Sequence, residues 1–148
     1  ITRAGLERTV RVLIADLAAR FGLPRPRIAV AGLNPHAGES GYLGREEIEI
    51  IKPALDQVAA EGVPVAGPFG ADTMFNMPGF DAFVVMLHDQ GHIATKLMAP
   101  HAAAALTIGT PILFASVAHG TGHDIAGQGV ADPAALIEAV RMVAKANV

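Results

Sequence analysis

The sequence predicts an α/β fold, a β-sheet covered by helices, and three observations carry that prediction. Short apolar runs alternate with helical patterns through much of the chain, as expected where strands lie beneath crossover helices. Polar, glycine-rich loops directly follow several of those runs, and binding groups in α/β sheets collect where strands end. Two apolar runs flank Gly109, Thr110 and Pro111, a connection short enough to add an antiparallel element to an otherwise parallel pattern.

From Thr2 to Arg20, Leu6, Val10, Ile14 and Leu17 recur at helical spacing, with Thr2 as cap and Gly22 with Pro24 as stop. Pro26 to Ala31 reads as a short buried strand. The loop Gly32 to Gly41 is dense in turn formers and carries His36 and Glu39. A helix follows from about Gly44 to Ala60, with Glu46, Glu47 and Glu49 where the helix dipole favours acids and Pro53 where a kink or split is expected.

Val63 to Gly67 contains Pro64 and therefore fits an edge strand. Pro68 to Pro78 is a connection holding Asp72, with one helical turn around Thr73 to Phe75. Ala82 to Leu87 is the next strand, and Gln90 to Met98 is helical; extended back to His88, that helix would place Lys96 on a neighbouring face. Ala104 to Ile108 and Ile112 to Val117 are two further strands. A loop from Ala118 to Gly129 precedes a last helix from Pro133 to Ala146, capped by Asp132. No repeat or internal domain boundary is visible, so residues 1–148 read as a single α/β region.

Composition narrows the function classes. A net charge of -3 with 17% charged residues gives no basic face for nucleic acid. The absence of cysteine excludes disulfides and thiolate chemistry, and no apolar run is long enough to span a bilayer; a cytoplasmic location is expected. Ile1 opens the chain without an initiator methionine, almost on top of a helical pattern, so part of a longer polypeptide is expected.

Three loops concentrate chemistry: Asn34 to Glu39, His88 to His92, and His119 to Asp124. Each follows an expected strand, so all three could meet at one sheet edge, where imidazoles and carboxylates can hold a divalent metal with positions open for substrate. Taken singly, each histidine favours the plainer reading of a loop imidazole bonded to backbone. Asp72 and Asp89 could equally be caps, and Lys96 a solvated helix charge. His88 and His92 stand four apart, but Asp89 occupies the place of a zincin's glutamate. Neither glycine-rich loop has a dinucleotide-binding or P-loop spacing.

The stretches Gly32-Leu33-Asn34-Pro35-His36-Ala37-Gly38-Glu39, Ala71-Asp72-Thr73, His88-Asp89-Gln90-Gly91 and Ser116-Val117-Ala118-His119-Gly120-Thr121 together resemble the C-terminal half of the 4-hydroxythreonine-4-phosphate dehydrogenase family. The resemblance implies an isocitrate/isopropylmalate dehydrogenase-like fold: three α/β/α layers around a mixed, mainly parallel sheet, in a two-domain subunit whose active site is completed in a homodimer. It implies His36 and His88 as metal ligands, with a third histidine upstream of Ile1; the metal is zinc first, with magnesium, manganese or cobalt as alternatives. It further implies Asp72, Asp89 and Lys96 as catalytic or substrate groups.

The run from His119 to Pro133 is also similar to the cofactor loop of isopropylmalate dehydrogenases. That similarity implies NAD contacts from His119, Gly120, Thr121, Asp124 and Asp132, with Asp124 repelling a 2′-phosphate. In phosphate-handling members the strand pair after the lysine carries an asparagine and an arginine on the phosphate, where this chain has Ala105 and Phe114. Loss of that bidentate fork, with Phe114 and His92 at the substrate, resembles the terephthalate dihydrodiol dehydrogenase branch. The expected reaction is therefore NAD-dependent, metal-assisted oxidation and decarboxylation of terephthalate dihydrodiol to protocatechuate. Alternatives are a dehydrogenase of a 4-phosphorylated hydroxy acid, a metal-dependent hydrolase using His88 and His92, and a binding or dimerisation module without catalysis of its own.

Overall fold

The computed structural model describes residues 1–146, which fall into two compact units divided between Ala94 and Thr95. In the first, α1 (Arg3–Phe21) begins where the Thr2 hydroxyl accepts the Gly5 N–H and ends at Gly22, whose φ of 68° is left-handed. The strand β1 (Ile28–Ala31) is buried throughout and lies at the centre of a parallel three-stranded sheet, between β2 (Val65–Phe69) and β3 (Ala82–Val84). Ile28 pairs with Val65 on one side and Ala82 on the other. The strand β2 sits at the edge as expected, but it runs two residues further along the chain, which leaves Pro64 outside it and takes in Pro68.

Helix α2 (Lys52–Ala60) packs against α1 and β2. A π-helical turn over Glu47–Ile51 precedes it. Pro53 is the reason for the split: it lacks an N–H and its ring crowds the preceding turn, so the ladder changes pitch where α2 begins. Leu6 and Val10 of α1, Ile28 and Val30 of β1, and Ile51, Ala54, Leu55 and Val58 form the core with Val84.

Two expectations for the next segment are corrected. β3 stops at Val84 instead of Leu87, because the Met86 and Leu87 N–H groups bond to the Gln90 side chain rather than to a neighbouring strand. Helix α3 (His88–Met98) starts at His88, so the histidine is its first residue, and none of its residues is buried. The division between the two units falls within this helix.

In the second unit, β4 (Ala104–Thr107) and β5 (Phe114–Val117) form an antiparallel hairpin, with Ala105 opposite Ser116 and Thr107 opposite Phe114. Helix α4 (Ala134–Lys145) packs across both strands, and Asp132 Oδ1 accepts the Ala134 N–H at its start. The expectation of one mixed sheet is corrected: parallel and antiparallel strands form separate sheets.

Candidate active site

The carboxyl ends of β1, β2 and β3 carry His36, Asp72 and His88 in turn. Because the three strands are parallel and mutually registered, their following loops leave the sheet at one edge. Gly70 shows how closely two of these loops approach. A Cβ placed on it would lie 2.8 Å from Asp72 Oδ1 and 3.9 Å from the Cα of His36, so any side chain there would push into the carboxylate.

The loop after β1 is unusual. His36, Ala37, Gly38, Glu39 and Ser40 all have positive φ, from 45° to 79°. Only glycine adopts that conformation freely, and each of the other four costs about 1–2 kcal/mol. The residues that lead into the turn are bonded to Glu47, which is only 4% exposed. Its Oε1 accepts the N–H groups of Leu33 and Asn34 at 2.7 and 2.8 Å, and its Oε2 accepts the Asn34 amide at 2.9 Å. Burial raises the Glu47 carboxyl's pKa, but these hydrogen bonds outweigh it and leave the group below its ordinary value. Gly38 is obligatory here, because a Cβ would sit 2.6 Å from Glu47 Oε2.

Gln90 is the second organiser. Its Oε1 accepts the Met86 and Leu87 N–H groups at 2.9 and 3.0 Å, and its Nε2 donates to the Gly32 carbonyl at 3.0 Å. One side chain therefore ties the start of α3 to the end of β1. His88 Nδ1 lies 2.7 Å from Asp89 Oδ1, and the His88 ring stacks on that of His92 at 4.1 Å with 7° between planes. His36 Nδ1 is 3.7 Å from Glu39 Oε1.

Among the described residues no group of three or more histidine, aspartate or glutamate side chains gathers as a metal site. Of the three loops expected at one sheet edge, two, those bearing His36 and His88, follow paired strands of the parallel sheet, as does the loop bearing Asp72. The third follows β5, in the other sheet.

That third loop borders a cavity of about 850 Å³ within the second unit, lined by Lys96, His101, His119, Gly120, Thr121 and Asp132 together with small apolar residues. His119 Nδ1 is 2.8 Å from the Gly120 carbonyl, and His101 Nδ1 is 3.6 Å from Asp132 Oδ2. Asp124 is outside this lining; its carbonyl accepts the Gln128 amide at 2.7 Å. Ala105, Thr107, Phe114 and Ser116 share the exposed face of the hairpin, with Phe114 62% exposed.

The sequence reading missed Glu47, Asn34 and Gln90 as organisers. Glu47 did leave a trace: it stands four and eight residues before Ile51 and Leu55, both buried. An acid on the core-facing stripe of a helix needs a partner.

Strand-end histidines and an aspartate in the first unit, and a glycine-lined cavity in the second, mark an α/β protein with two candidate sites. The chain belongs to the family described as pyridoxal phosphate biosynthetic protein PdxA, which matches residues 1–143. It is 51% identical over 145 residues to a 4-hydroxythreonine-4-phosphate dehydrogenase of Chromobacterium violaceum, covering 96% of this chain and 44% of that protein. The structure of the Klebsiella pneumoniae 4-hydroxythreonine-4-phosphate dehydrogenase aligns with a TM-score of 0.86 at 38% identity, over 98% of this chain and 45% of the other. A terephthalate 1,2-cis-dihydrodiol dehydrogenase from Burkholderia xenovorans aligns with a TM-score of 0.79 at 44% identity, over 98% and 47%. The chain thus spans about half the length of the relatives it matches.

Proposed function

We propose that this chain is the C-terminal part of an NAD-dependent, metal-assisted dehydrogenase acting on a 4-phosphorylated hydroxy acid of the 4-hydroxythreonine-4-phosphate type. What supports the reading is that the loops bearing His36, Asp72 and His88 follow three paired parallel strands, in a chain half identical to proteins named for that activity. This replaces the dihydrodiol expectation as the leading one, because the names of the curated relatives fit the phosphorylated substrate better.

The donor chemistry fits a divalent cation. With Nδ1 directed to Asp89, the His88 ring keeps Nε2 for a ligand, the usual arrangement of a metal-bound histidine. His36 would be the second ligand, and further ligands would come from the rest of a two-domain, isocitrate/isopropylmalate dehydrogenase-like subunit working as a homodimer. Imidazole ligands favour zinc, and oxygen partners would admit magnesium, manganese or cobalt. When bound, the cation supplies Lewis-acid polarisation of the substrate hydroxyl and NAD supplies the hydride acceptor.

The remaining work belongs to this chain's residues. Asp72 takes the hydroxyl proton as the carbon-bound hydrogen departs as hydride. Asp89 orients His88. Lys96 offers an ammonium to the substrate's anionic end, and its place in the cavity lining also sets it near the NAD loop. His119, Gly120, Thr121 and Asp132 would seat the adenosine, for which a cavity of this size is sufficient; Asp124 would act from outside the lining.

A second reading, oxidative decarboxylation of terephthalate dihydrodiol, is favoured by one feature. Ala105 and Phe114 leave the exposed hairpin face without the cation a phosphate would use, and Phe114 with His92 would meet an aromatic-ring precursor. The test is NADH formation by full-length protein offered each substrate in turn. Turnover of the phosphorylated hydroxy acid supports the first reading; turnover of the dihydrodiol alone overturns it in favour of the second.

A further inference from the structure

We infer that Glu47 is a positioning residue that sets the left-handed turn bearing His36, and so presets that imidazole for a divalent cation. The inference rests on the reading of His36 as a ligand.

Five consecutive left-handed residues do not hold themselves together. In the η1 turn over Pro35–Gly41, Asn34 provides no side-chain cap, and the backbone bonds that close its far end are Tyr42 N–H to Glu39 O and Leu43 N–H to Gly38 O. The near end is held by Glu47, whose two oxygens receive two successive backbone N–H groups and one side-chain amide from Leu33 and Asn34. Glu46 adds a second acceptor for the same amide at 2.7 Å.

The carboxylate also shapes the turn by occupying space. Its oxygens lie where Cβ atoms on Gly32 and Gly38 would fall, at 2.9 and 2.6 Å, so the loop wraps round it from both sides of His36. A carboxylate has only acceptors to offer, and all the groups facing it here are donors. Glutamine in its place turns one acceptor into a donor against donors, with almost no change of shape. The charge and acceptor pattern of Glu47, rather than its bulk, therefore selects the conformation that presents His36.

The experiment uses the full-length protein and Co²⁺, followed by its visible absorption, with thermal unfolding run beside it. Residues that hold a ligand in place weaken metal binding by about 10–100-fold when removed, and Glu47→Gln is expected in that range. Asn34→Ala, which keeps the two backbone bonds to Glu47, is expected to lose severalfold and serves if Glu47→Gln does not fold. His36→Ala is the control. If it binds Co²⁺ as tightly as the parent, the ligand reading is wrong and the inference falls with it. If His36→Ala is weakened while folded Glu47→Gln, or Asn34→Ala in its stead, matches the parent, the inference alone is overturned. Restored affinity in the Asn34→Gln variant, which can again reach the carboxylate, supports positioning over general stability.

Discussion

The first unit builds its candidate site on a packed core, while the second offers a cavity with little core beneath it. In the first, the central strand is wholly buried and His36 follows a segment bonded to a buried carboxylate. In the second, the buried side chains among the described residues are Leu113, Ala135, Ala139 and Ala146, whereas Ile112, Phe114, Leu136, Ile137 and Val140 are exposed. The difference matches the tasks proposed for each. Metal ligands and a proton acceptor must be held to fractions of an ångström. A glycine-lined pocket recognises its ligand through backbone and shape, and tolerates a looser loop.

The comparison can be broken at several points, from the largest effect to the smallest. Asp72→Asn in the full-length protein should lower kcat by about 10²–10⁴-fold, the range for losing a general base, with little change in the NAD KM. A rise in the NAD KM with unaltered kcat would move Asp72 out of the chemistry. Ile28→Ala, at a wholly buried position, should cost about 2–5 kcal/mol in denaturant unfolding. The matching cut in the second unit, Leu136→Ala at 58% exposure, should stay within about 0.5 kcal/mol; equal losses would erase the contrast.

The smallest effect concerns acid. Arg11 bonds Glu61 through two nitrogens, at 2.6 and 2.9 Å, and links α1 to the end of α2. With a lesser bond from Gln57, this lowers the Glu61 carboxyl from its ordinary 4.5 to about 2. A depressed carboxylate stabilises the fold above its unfolded value, and that contribution is lost as pH falls from about 4.5 towards 2. Both groups are exposed, so the effect is small. Melting temperatures taken down this pH range should fall less steeply in Glu61→Gln than in the parent, and identical slopes would contradict the linkage.

The same contrast explains what could be read in the chain. The buried run from Ile28 to Ala31, the caps at Thr2 and Gly22, the hairpin around Gly109 and the strand-end positions of His36, Asp72 and His88 all follow from local periodicity and turn chemistry. The left-handed turn and the anchoring by Gln90 and Glu47 depend on side chains reaching backbone 13, 14 or 58 residues away, and β3 is cut short where the Gln90 side chain turns back on Met86 and Leu87. Such bonds leave no period. The separation of the two sheets was equally hidden, since pairing partners are chosen by tertiary packing.

The most direct test of the account is NADH formation from NAD and 4-hydroxythreonine-4-phosphate by the full-length protein, with and without His88→Ala. The account predicts metal-dependent turnover in the parent and its loss in the variant. Undiminished NADH formation by His88→Ala would contradict it.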